Sequence, residues 1–275
     1  MLSQPFTTPL GITSKVCLCI VAAIVFIYLA APVLVVLPLS FNSEPYFSYP
    51  MPGVSLRWYR EVLASEAWGR AAVNSFGIAI VATSVSMVLG SLAAFGLNRR
   101  ALPCNRLISS FMIAPLIVPT IITAIGVFFL FAQLHLLGTY VAIVLSHSVL
   151  AIPYVVLTLN ATLSGLDMDL LRAGASLGAP PLRTFVRIAL PLITPGFIAA
   201  GLFAFVVSFD EAVIVLFLAG PQQHTLPIEM WKGVRESLSP AILAVACLLA
   251  AGSFVTLLCA ELLRRRAQRL RGGDA

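Results

Sequence analysis

An acidic pair interrupts a long apolar stretch of this sequence, at a place where ionisable side chains are costly and usually functional. Asp210 and Glu211 follow Ser208 and Phe209 inside the run 189–218, which holds no other charged residue. A carboxylate beside an aromatic ring suits an organic cation, because ion pairing and cation–π attraction then act together. The pattern predicts that these four residues line a solute pathway, with Asp210 facing it.

The two acidic side chains cannot both face one pathway if they lie in the same helix. Adjacent residues of a helix point about 100° apart, so only one of Asp210 and Glu211 can face a path while the other packs or pairs elsewhere. An alternative stays open, in which Asp210 is a hydrogen-bond partner between helices and only holds the bundle together. His147, in another apolar run, is interpreted as a hydrogen-bonded neutral side chain rather than a ligand or proton relay.

A second group of residues with definite local chemistry lies in the hydrophilic segment 160–188. An oxygen of Asp167 or Asp169 can accept from the free amides of a first helical turn, which predicts a short helix reaching about Leu177. Gly178 then ends this helix in the left-handed conformation, and the proline pair after Ala179 cannot continue it but can open a second. Two short helices that meet at a corner are expected.

The same segment carries a candidate docking surface. Ala173, Gly174 and Ala175 give the first short helix small side chains, between which the ridges of another protein can fit. Arg183 and Arg187 lie one turn apart on the second. A short exposed helix in such a loop is suited to act as a lever or a docking point.

Long apolar runs of the sequence must form the elements that position the acidic pair and the segment 160–188. The chain is 60% hydrophobic and 10% charged, whereas soluble domains carry about a quarter charged residues, so an ordinary soluble fold is excluded. Runs of about 20 residues can cross a hydrocarbon layer of about 30 Å as helices, and the absence of apolar–polar alternation excludes a β-barrel. The sequence predicts an all-α membrane protein with six transmembrane helices, at residues 16–39, 76–97, 107–132, 140–159, 189–218 and 241–263.

The distribution of basic residues predicts the orientation of these helices. Of the 17 lysines and arginines, 12 fall in segments on one side of the six predicted spans. By the positive-inside rule that side is cytoplasmic, and both termini lie on it. The chain then divides into a cytoplasmic segment 1–15, a transmembrane domain 16–263 with the loop 165–191, and a basic tail 264–275. The tail is expected to meet anionic lipid headgroups rather than nucleic acid.

Prolines and glycines within the predicted spans favour a transporter, because kinked helices can pack around a path. Gly196, Ala200 and Ala204 are four residues apart and would let the fifth helix approach a neighbour closely, within the subunit or at a subunit interface. The sequence contains no nucleotide-binding P-loop, metal-ligand cluster or nucleophile motif. We therefore expect no catalytic residue, metal or cofactor in this chain, which is not predicted to be an enzyme.

The string from Arg172 to Ala179, followed by Leu190-Pro191, closely resembles the EAA loop of ABC importer permeases. Further agreement extends over nearly the whole chain, and together these motifs resemble the spermidine/putrescine-type permeases. The agreeing segments are Ser40-Phe41-Asn42, Ser55-Leu56-Arg57-Trp58-Tyr59, Asn74-Ser75, Ala114-Pro115 to Pro119, Ile152-Pro153, Ser208-Phe209-Asp210 and Thr225-Leu226-Pro227.

The resemblance implies a type I ABC importer fold and a mechanical role for the loop. In that family the EAA loop forms coupling helices that sit in a groove of the ATPase subunit, so that closure of the ATPase moves the transmembrane helices. Carried over to this sequence, the residues that couple to the ATPase are Asp169, Arg172, Ala173, Gly174, Ala175, Leu177, Gly178 and Ala179.

The motif departs from the family pattern at two positions. Arg172 stands where the family has glutamate, and Gly174 stands where it has its second alanine. If Asp169 is the cap, Arg172 occupies the position from which a capping-box glutamate would reach back, and arginine cannot accept that bond. The helix is then expected to rely on its aspartate cap alone, and the contact of that glutamate with the ATPase is in question.

These observations predict a multi-pass permease subunit in a bacterial inner membrane, moving a small solute, with a polyamine favoured, from a periplasmic binding protein into the cytoplasm. The resemblance implies as partners an ATPase in two copies, which binds ATP and magnesium, a second permease subunit and the binding protein. Opines, thiamine and sulfonates remain open as solutes. The competing class is a stand-alone secondary transporter, for which we find no convincing internal repeat.

Overall fold

The computed structural model describes residues 9–98, 104–236 and 239–254, with side chains from residue 14 onward except that of Met168. This part of the chain is mostly helical, and its one β-type pairing is an isolated bridge between Asn42 and Val54. The helices are α1 (Pro9–Leu39), α2 (Arg57–Ala64), α3 (Glu66–Leu97), α4 (Asn105–Ile117), α5 (Thr120–Gln133), α6 (Tyr140–Ser164), α7 (Met168–Ser176), α8 (Pro181–Thr184), a π-helical turn (Phe185–Ala189), α9 (Leu190–Phe209), α10 (Val213–Leu218), α11 (Leu226–Glu236) and α12 (Ala241–Phe254).

Four helices in the described part are long and apolar enough to cross a membrane: Ser14–Leu39, Glu66–Leu97, Tyr140–Ser164 and Pro181–Phe209. The bent pair α4 and α5 would make a fifth. The shorter apolar α12 covers the start of the sixth predicted span, whose remainder lies outside the described residues, as does the predicted basic tail 264–275. The helical fold class is confirmed, while the sixth span stays a prediction.

The third predicted span, 107–132, is wrong as a single helix. The axes of α4 and α5 differ in direction by 101°. The break falls at Val118, which has φ −76° and ψ 126° and precedes Pro119. Proline disfavours the helical conformation of the residue before it and offers no amide hydrogen of its own, so the helix stops there.

The fifth predicted span, 189–218, is wrong at both ends. The helix begins earlier, because α8 and the π-helical turn lead without interruption into α9, giving one apolar helix of 29 residues from Pro181 to Phe209. The second short helix expected at a corner is therefore the first turn of this long helix. At its other end the helix stops at Phe209, and α10 starts separately at Val213.

The described chain divides into two compact units, one of residues 66–231 and one of the residues before and after it. The larger unit is built around α3, α6 and α9, which meet through small side chains. A Cβ atom on Gly90 would lie 2.7 Å from Val155 Cγ1 across the α3–α6 contact. A Cβ atom on Gly196 would overlap with the Thr162 side chain across the α6–α9 contact. The predicted close approach at Gly196 is thus confirmed within the subunit.

Hydrogen bonds join α3 and α6 at three levels along their length. Tyr140 donates through its hydroxyl to Asn74 Oδ1 at 2.9 Å near one end of the pair. The Ser86 hydroxyl donates to the Ser148 carbonyl at 3.2 Å in the middle. Directly after the other end of α3, Asn98 Nδ2 donates to Asn160 Oδ1 at 2.8 Å. These bonds make α3 and α6 a firmly connected pair.

In the smaller unit, several residues that carry the family resemblance hold a compact turn after α1. Trp58 Nε1 donates to the Asn42 carbonyl at 2.7 Å, and the Ser40 and Tyr59 hydroxyls lie 2.7 Å apart. The Phe41 and Tyr59 rings are 5.0 Å apart. These residues therefore have a structural role here, and the Trp58 side chain is buried.

Candidate functional sites

The first turn of α7 shows which aspartate caps the helix. Asp167 is the capping residue, and its Oδ1 accepts from the Asp169 amide at 2.9 Å. Asp169 instead lies in the first turn, where its carboxylate accepts from Arg172 Nη1 at 2.9 Å in an exposed ion pair. With Asp167 as the cap, Arg172 does not occupy the capping-box position. The condition for the capping-box interpretation is therefore not met, and Arg172 has a local partner of its own.

The end of α7 is a glycine stop, as the sequence predicts. Gly178 has φ +79°, and its amide donates to the Ala175 carbonyl at 2.9 Å. The Ala179 amide donates to the Gly174 carbonyl at 3.2 Å, which completes the two-bond pattern that closes many helices. Apart from its chain neighbours, no atom of the described residues lies within 4 Å of where a Gly178 Cβ would stand. Glycine is therefore required by the backbone conformation and not by lack of space.

The predicted docking surface of small residues is divided between two faces of α7. Gly174 faces the chain itself, because a Cβ there would lie 2.8 Å from Ile188 Cδ1 and 3.3 Å from Thr184 Cγ2. It is an internal contact rather than part of an external surface. Ala173 and Ala175 are exposed, as predicted. The small glycine lets α7 lie close against the beginning of the long helix that it precedes.

Two leucines beside this turn are strongly exposed. Leu177 is 88% exposed and Leu182 is 76% exposed, and Arg183 and Arg187 are exposed next to them. Sequence reasoning missed Leu182, because one leucine in a chain this apolar carries no signal of its own. The structure thus places apolar and basic side chains together around the turn at Gly178.

The acidic pair lies in a break between helices, not inside one. Asp210 caps the C-terminal end of α9, and its side chain is exposed. Glu211 Oε1 accepts from the Ile214 amide at 3.0 Å and so caps the beginning of α10. Because the helix is interrupted, the 100° argument for choosing between the two acids no longer applies. The choice of Asp210 is supported instead by the different surroundings of the two carboxylates.

The four predicted pathway residues do not share one surface. Ser208 is buried, and its hydroxyl lies 2.9 Å from Nδ1 of His147, so it belongs to the contact between α6 and α9. This bond agrees with the interpretation of His147 as a hydrogen-bonded histidine. Phe209 stacks on Phe205 with ring centroids 5.6 Å apart, and its centroid is 5.1 Å from that of Phe76.

The break combines three features that favour a cation. Carbonyl groups at the C-terminal end of α9 lack helical partners and carry partial negative charge. The Asp210 carboxylate lies at that same end, directly after Phe209, whose ring packs against the rings of Phe205 and Phe76. Phe76 and Phe205 were missed by sequence reasoning. The spacing of four residues between Phe205 and Phe209 would have suggested that pair, but nothing in the sequence points to Phe76 on another helix.

Two motifs of the family resemblance, about 150 residues apart in sequence, bind each other. Asn74 Nδ2 donates to the carbonyls of Gln222 and His224 at 2.8 and 2.9 Å. Ser75 Oγ accepts from the Leu226 amide at 2.7 Å. The segment 219–225, which leads from α10 to α11, is therefore held against α3 by its backbone.

Comparison with known proteins gives a consistent result. The family model for the binding-protein-dependent transport system inner membrane component matches residues 86–269. The putrescine transport system permease protein PotI of Escherichia coli K12 is 35% identical over 256 residues, which cover 90% of this chain and 91% of that protein. The spermidine/putrescine transport system permease protein PotC of Shigella flexneri is 28% identical over 250 residues, covering 91% and 94%.

Solved structures agree in fold. A chain of a bacterial ABC transporter for import of the acidic polysaccharide alginate superposes with a TM-score of 0.70 at 13% identity, covering 95% of this chain and 99% of that one. The same type of transporter in complex with a periplasmic protein bound to an alginate pentasaccharide gives a TM-score of 0.69 at 13% identity, covering 92% and 94%. The resemblance to ABC importer permeases inferred from motifs is confirmed.

Proposed function

This chain belongs to the family of inner-membrane components of binding-protein-dependent transport systems, and from that membership we propose that it is the permease subunit through which an ABC importer moves a polyamine, putrescine or spermidine. The observation that carries the choice of solute is the 35% identity to a putrescine permease over 90% of the chain. The chain is a transport component and not an enzyme. It acts in the inner membrane, which its several apolar helices cross.

The proposed topology has six spans with both termini in the cytoplasm. Four long apolar helices, the bent α4–α5 pair and a helix starting with α12 would supply the spans. The orientation rests on the 12 basic residues that this arrangement places on one side. It places α7 and the turn at Gly178 in the cytoplasm and the segment 219–225 on the opposite side.

The proposed coupling segment is Asp169–Ala179 with the helix that follows it. Leu177 and Leu182 would enter an apolar groove of the ATPase, while Arg183 and Arg187 would face acidic side chains at its rim. Exposed leucines of this kind are suited to burial by a partner. The long helix then extends from this segment over 29 residues, or about 43 Å at 1.5 Å per residue, and ends beside Asp210. Movement of the ATPase would be carried along this helix.

The proposed solute pathway passes the break between α9 and α10. Asp210 would pair with an ammonium group, and Phe209 and Phe76 would contact the cation through their ring faces. A diamine has an ammonium at each end and a short apolar chain between them, which matches a carboxylate next to phenyl rings. Glu211 is assigned a structural role, because its carboxylate caps α10.

The proposed partners follow from the family. They are an ATPase, in two copies for a two-permease importer, a second permease subunit and a periplasmic binding protein that delivers the solute. ATP and its magnesium ion are assigned to the ATPase, and no nucleic acid is expected. A solved relative in complex with a periplasmic protein supports the last of the protein partners.

The test uses the assembled complex. The permease is purified with its partner subunits, reconstituted in liposomes, and supplied with its binding protein and labelled putrescine or spermidine. We expect an ATPase to copurify and labelled polyamine to enter only with ATP, binding protein and permease together. Uptake of another solute, with both polyamines excluded, would overturn the assignment of the solute. Uptake driven by an ion gradient without any ATPase would overturn the assignment of the mechanism.

A further inference from the structure

In the larger unit, more side-chain hydrogen bonds join α3 to α6 than join α6 to α9. Side-chain hydrogen bonds join α3 to α6 near both ends and in the middle. Among the described residues, a single side-chain hydrogen bond joins α6 to α9, that between His147 and Ser208. The rest of the α6–α9 contact is apolar or close packing, as at Gly196. Apolar surfaces can slide over one another more readily than a paired polar contact can, so this bond fixes the register of α9.

The bond between His147 and Ser208 lies in a fully buried position. His147 is 1% exposed and Ser208 is 3% exposed, with Nδ1 and Oγ 2.9 Å apart. The other ring nitrogen of His147, Nε2, is buried and has no hydrogen-bond partner among the described residues. The imidazole is therefore held through one of its two polar atoms, and a buried polar atom without a partner does not serve stability. What the structure shows for this histidine is its bond to Ser208.

The position of Ser208 along α9 suggests a role for this bond. Ser208 lies two residues before Asp210, in the last turn of the helix that begins at Pro181. The beginning of that helix packs against Gly174 of α7, in the proposed coupling segment. One end of the helix thus touches the segment that would be moved, and the other end, beside Asp210, is held to α6 by His147. The π-helical turn Phe185–Ala189, which contains Ile188 of the contact with Gly174, is the irregular part of the helix.

We propose that His147 is a positioning residue for transport: through Ser208 it fixes the Phe209 end of α9 against the α3–α6 pair, so that movement of the coupling segment is delivered to Asp210. His147 touches no solute in this scheme. Without the bond the far end of α9 follows the coupling segment imprecisely, and ATP is hydrolysed without a matching movement at the pathway. The inference rests on the proposed coupling function of α7 and deepens it.

The test measures solute molecules moved per ATP hydrolysed, in the complete complex in liposomes with its binding protein. The variants are His147→Leu, Ser208→Ala and both together, with Ser208→Thr as the variant that keeps the hydroxyl. Ser146→Ala is the matched control, since the Ser146 hydroxyl is equally buried and bonds only within its own helix, to the Ala142 carbonyl at 2.8 Å.

We expect His147→Leu and Ser208→Ala each to lower solute moved per ATP about fivefold, the factor that corresponds to loss of one net hydrogen bond. The double variant should be no worse than either single one, because both remove the same bond. Ser208→Thr and Ser146→Ala should keep the wild-type ratio, and all five variants should copurify with the ATPase in wild-type amounts.

Several outcomes would overturn the proposal. One is a ratio unchanged in His147→Leu, and another is an equal loss in Ser146→Ala. A loss of assembly in step with the loss of transport would show that the bond only stabilises the bundle. The ratio is compared within one preparation and with whichever solute the binding protein delivers. A wild-type complex that excludes polyamines would therefore overturn the solute assignment alone, and one without ATP-dependent uptake would overturn the proposed function.

Discussion

Asp210 and Glu211 are neighbours in sequence, but the structure gives their carboxylates different surroundings. The Glu211 carboxylate accepts the Ile214 amide and so satisfies one of the free donors at the start of α10. The Asp210 side chain is exposed at the end of α9, where the helix dipole disfavours a negative charge. A carboxylate in an unfavourable place at the end of an apolar helix points to a ligand of opposite charge. In the described part of the chain, no hydrogen bond joins the Asp210 side chain to another helix, which the alternative of a helix–helix contact would require.

Replacing Asp210 with asparagine tests the difference between the two acids. We expect Asp210→Asn to lower uptake of a divalent organic cation at least about tenfold, since a charge-assisted contact becomes a neutral one. Glu211→Gln is the matched control, because it removes an adjacent charge while the glutamine oxygen still accepts from Ile214. Initial uptake rates at several solute concentrations provide the measurement. Equal impairment by both variants, or loss of ATPase copurification in Asp210→Asn, would contradict the pathway role.

At the scale of elements, α7 and the long helix after it form a bent unit, with one glycine at the contact between the two helices and another at the turn that joins them. Gly174 allows α7 to lie within contact of Ile188, and Gly178 reverses the chain at a positive φ. Gly178 is exposed, so a change there alters the course of the backbone without disturbing the apolar bundle. The direction in which Leu177 and Leu182 are presented depends on that turn.

Gly178→Leu is predicted to uncouple transport from ATP hydrolysis. A leucine at φ +79° costs about 1–2 kcal/mol, so the turn should adopt another conformation and α7 should end differently. Gly178→Asn is the control, since asparagine tolerates the left-handed region and space around the Cβ is open. We expect the leucine variant to insert and fold normally but to lose uptake, and the asparagine variant to retain it. Unaltered uptake in Gly178→Leu would count against the coupling role.

The contact between α6 and α9 makes a prediction about stability. A methyl group on Gly196 would overlap with the Thr162 side chain, so Gly196→Ala should force the two helices apart and lower stability by about 1–3 kcal/mol. Gly201→Ala, on the same helix, is the control, because its methyl would meet only Met87 Sδ at an ordinary 3.8 Å. Thermal unfolding of the purified complex should show a lower midpoint for the first variant alone. Equal midpoints would mean that the helices do not pack this closely in the membrane.

At the scale of the whole molecule, composition and run length were sufficient to predict an all-α membrane protein, and the motifs from Arg172 to Ala179 to predict its family. The sequence did not show where the apolar helices are interrupted. Pro119 is visible in sequence, but a proline can bend a membrane helix slightly or break it, and only packing decides which. The stop at Phe209 was less visible still, because Asp210 and Glu211 are compatible with a helix and the apolar run continues after them.

In the candidate sites, features set by neighbours in the chain could be predicted, whereas features set by contacts between distant helices could not. The glycine stop and the aspartate cap of α7 depend on neighbours in the chain, so the sequence predicted that helix to within a few residues. The partner of Ser208 and the position of Phe76 depend on contacts between distant helices, so they could not be predicted from local patterns. Ser208 was accordingly assigned to the pathway, whereas the structure buries it against His147.

The attachment of segment 219–225 has a consequence for the substitutions that this segment tolerates. Asn74 holds this segment through the carbonyl groups of Gln222 and His224, and Ser75 holds it through an amide. Such groups are present at these positions in almost any sequence. Substitutions of the Gln222 and His224 side chains therefore leave these three hydrogen bonds in place, whereas Gln223 also contributes its side chain, because its Oε1 accepts from the Gly220 amide at 3.0 Å.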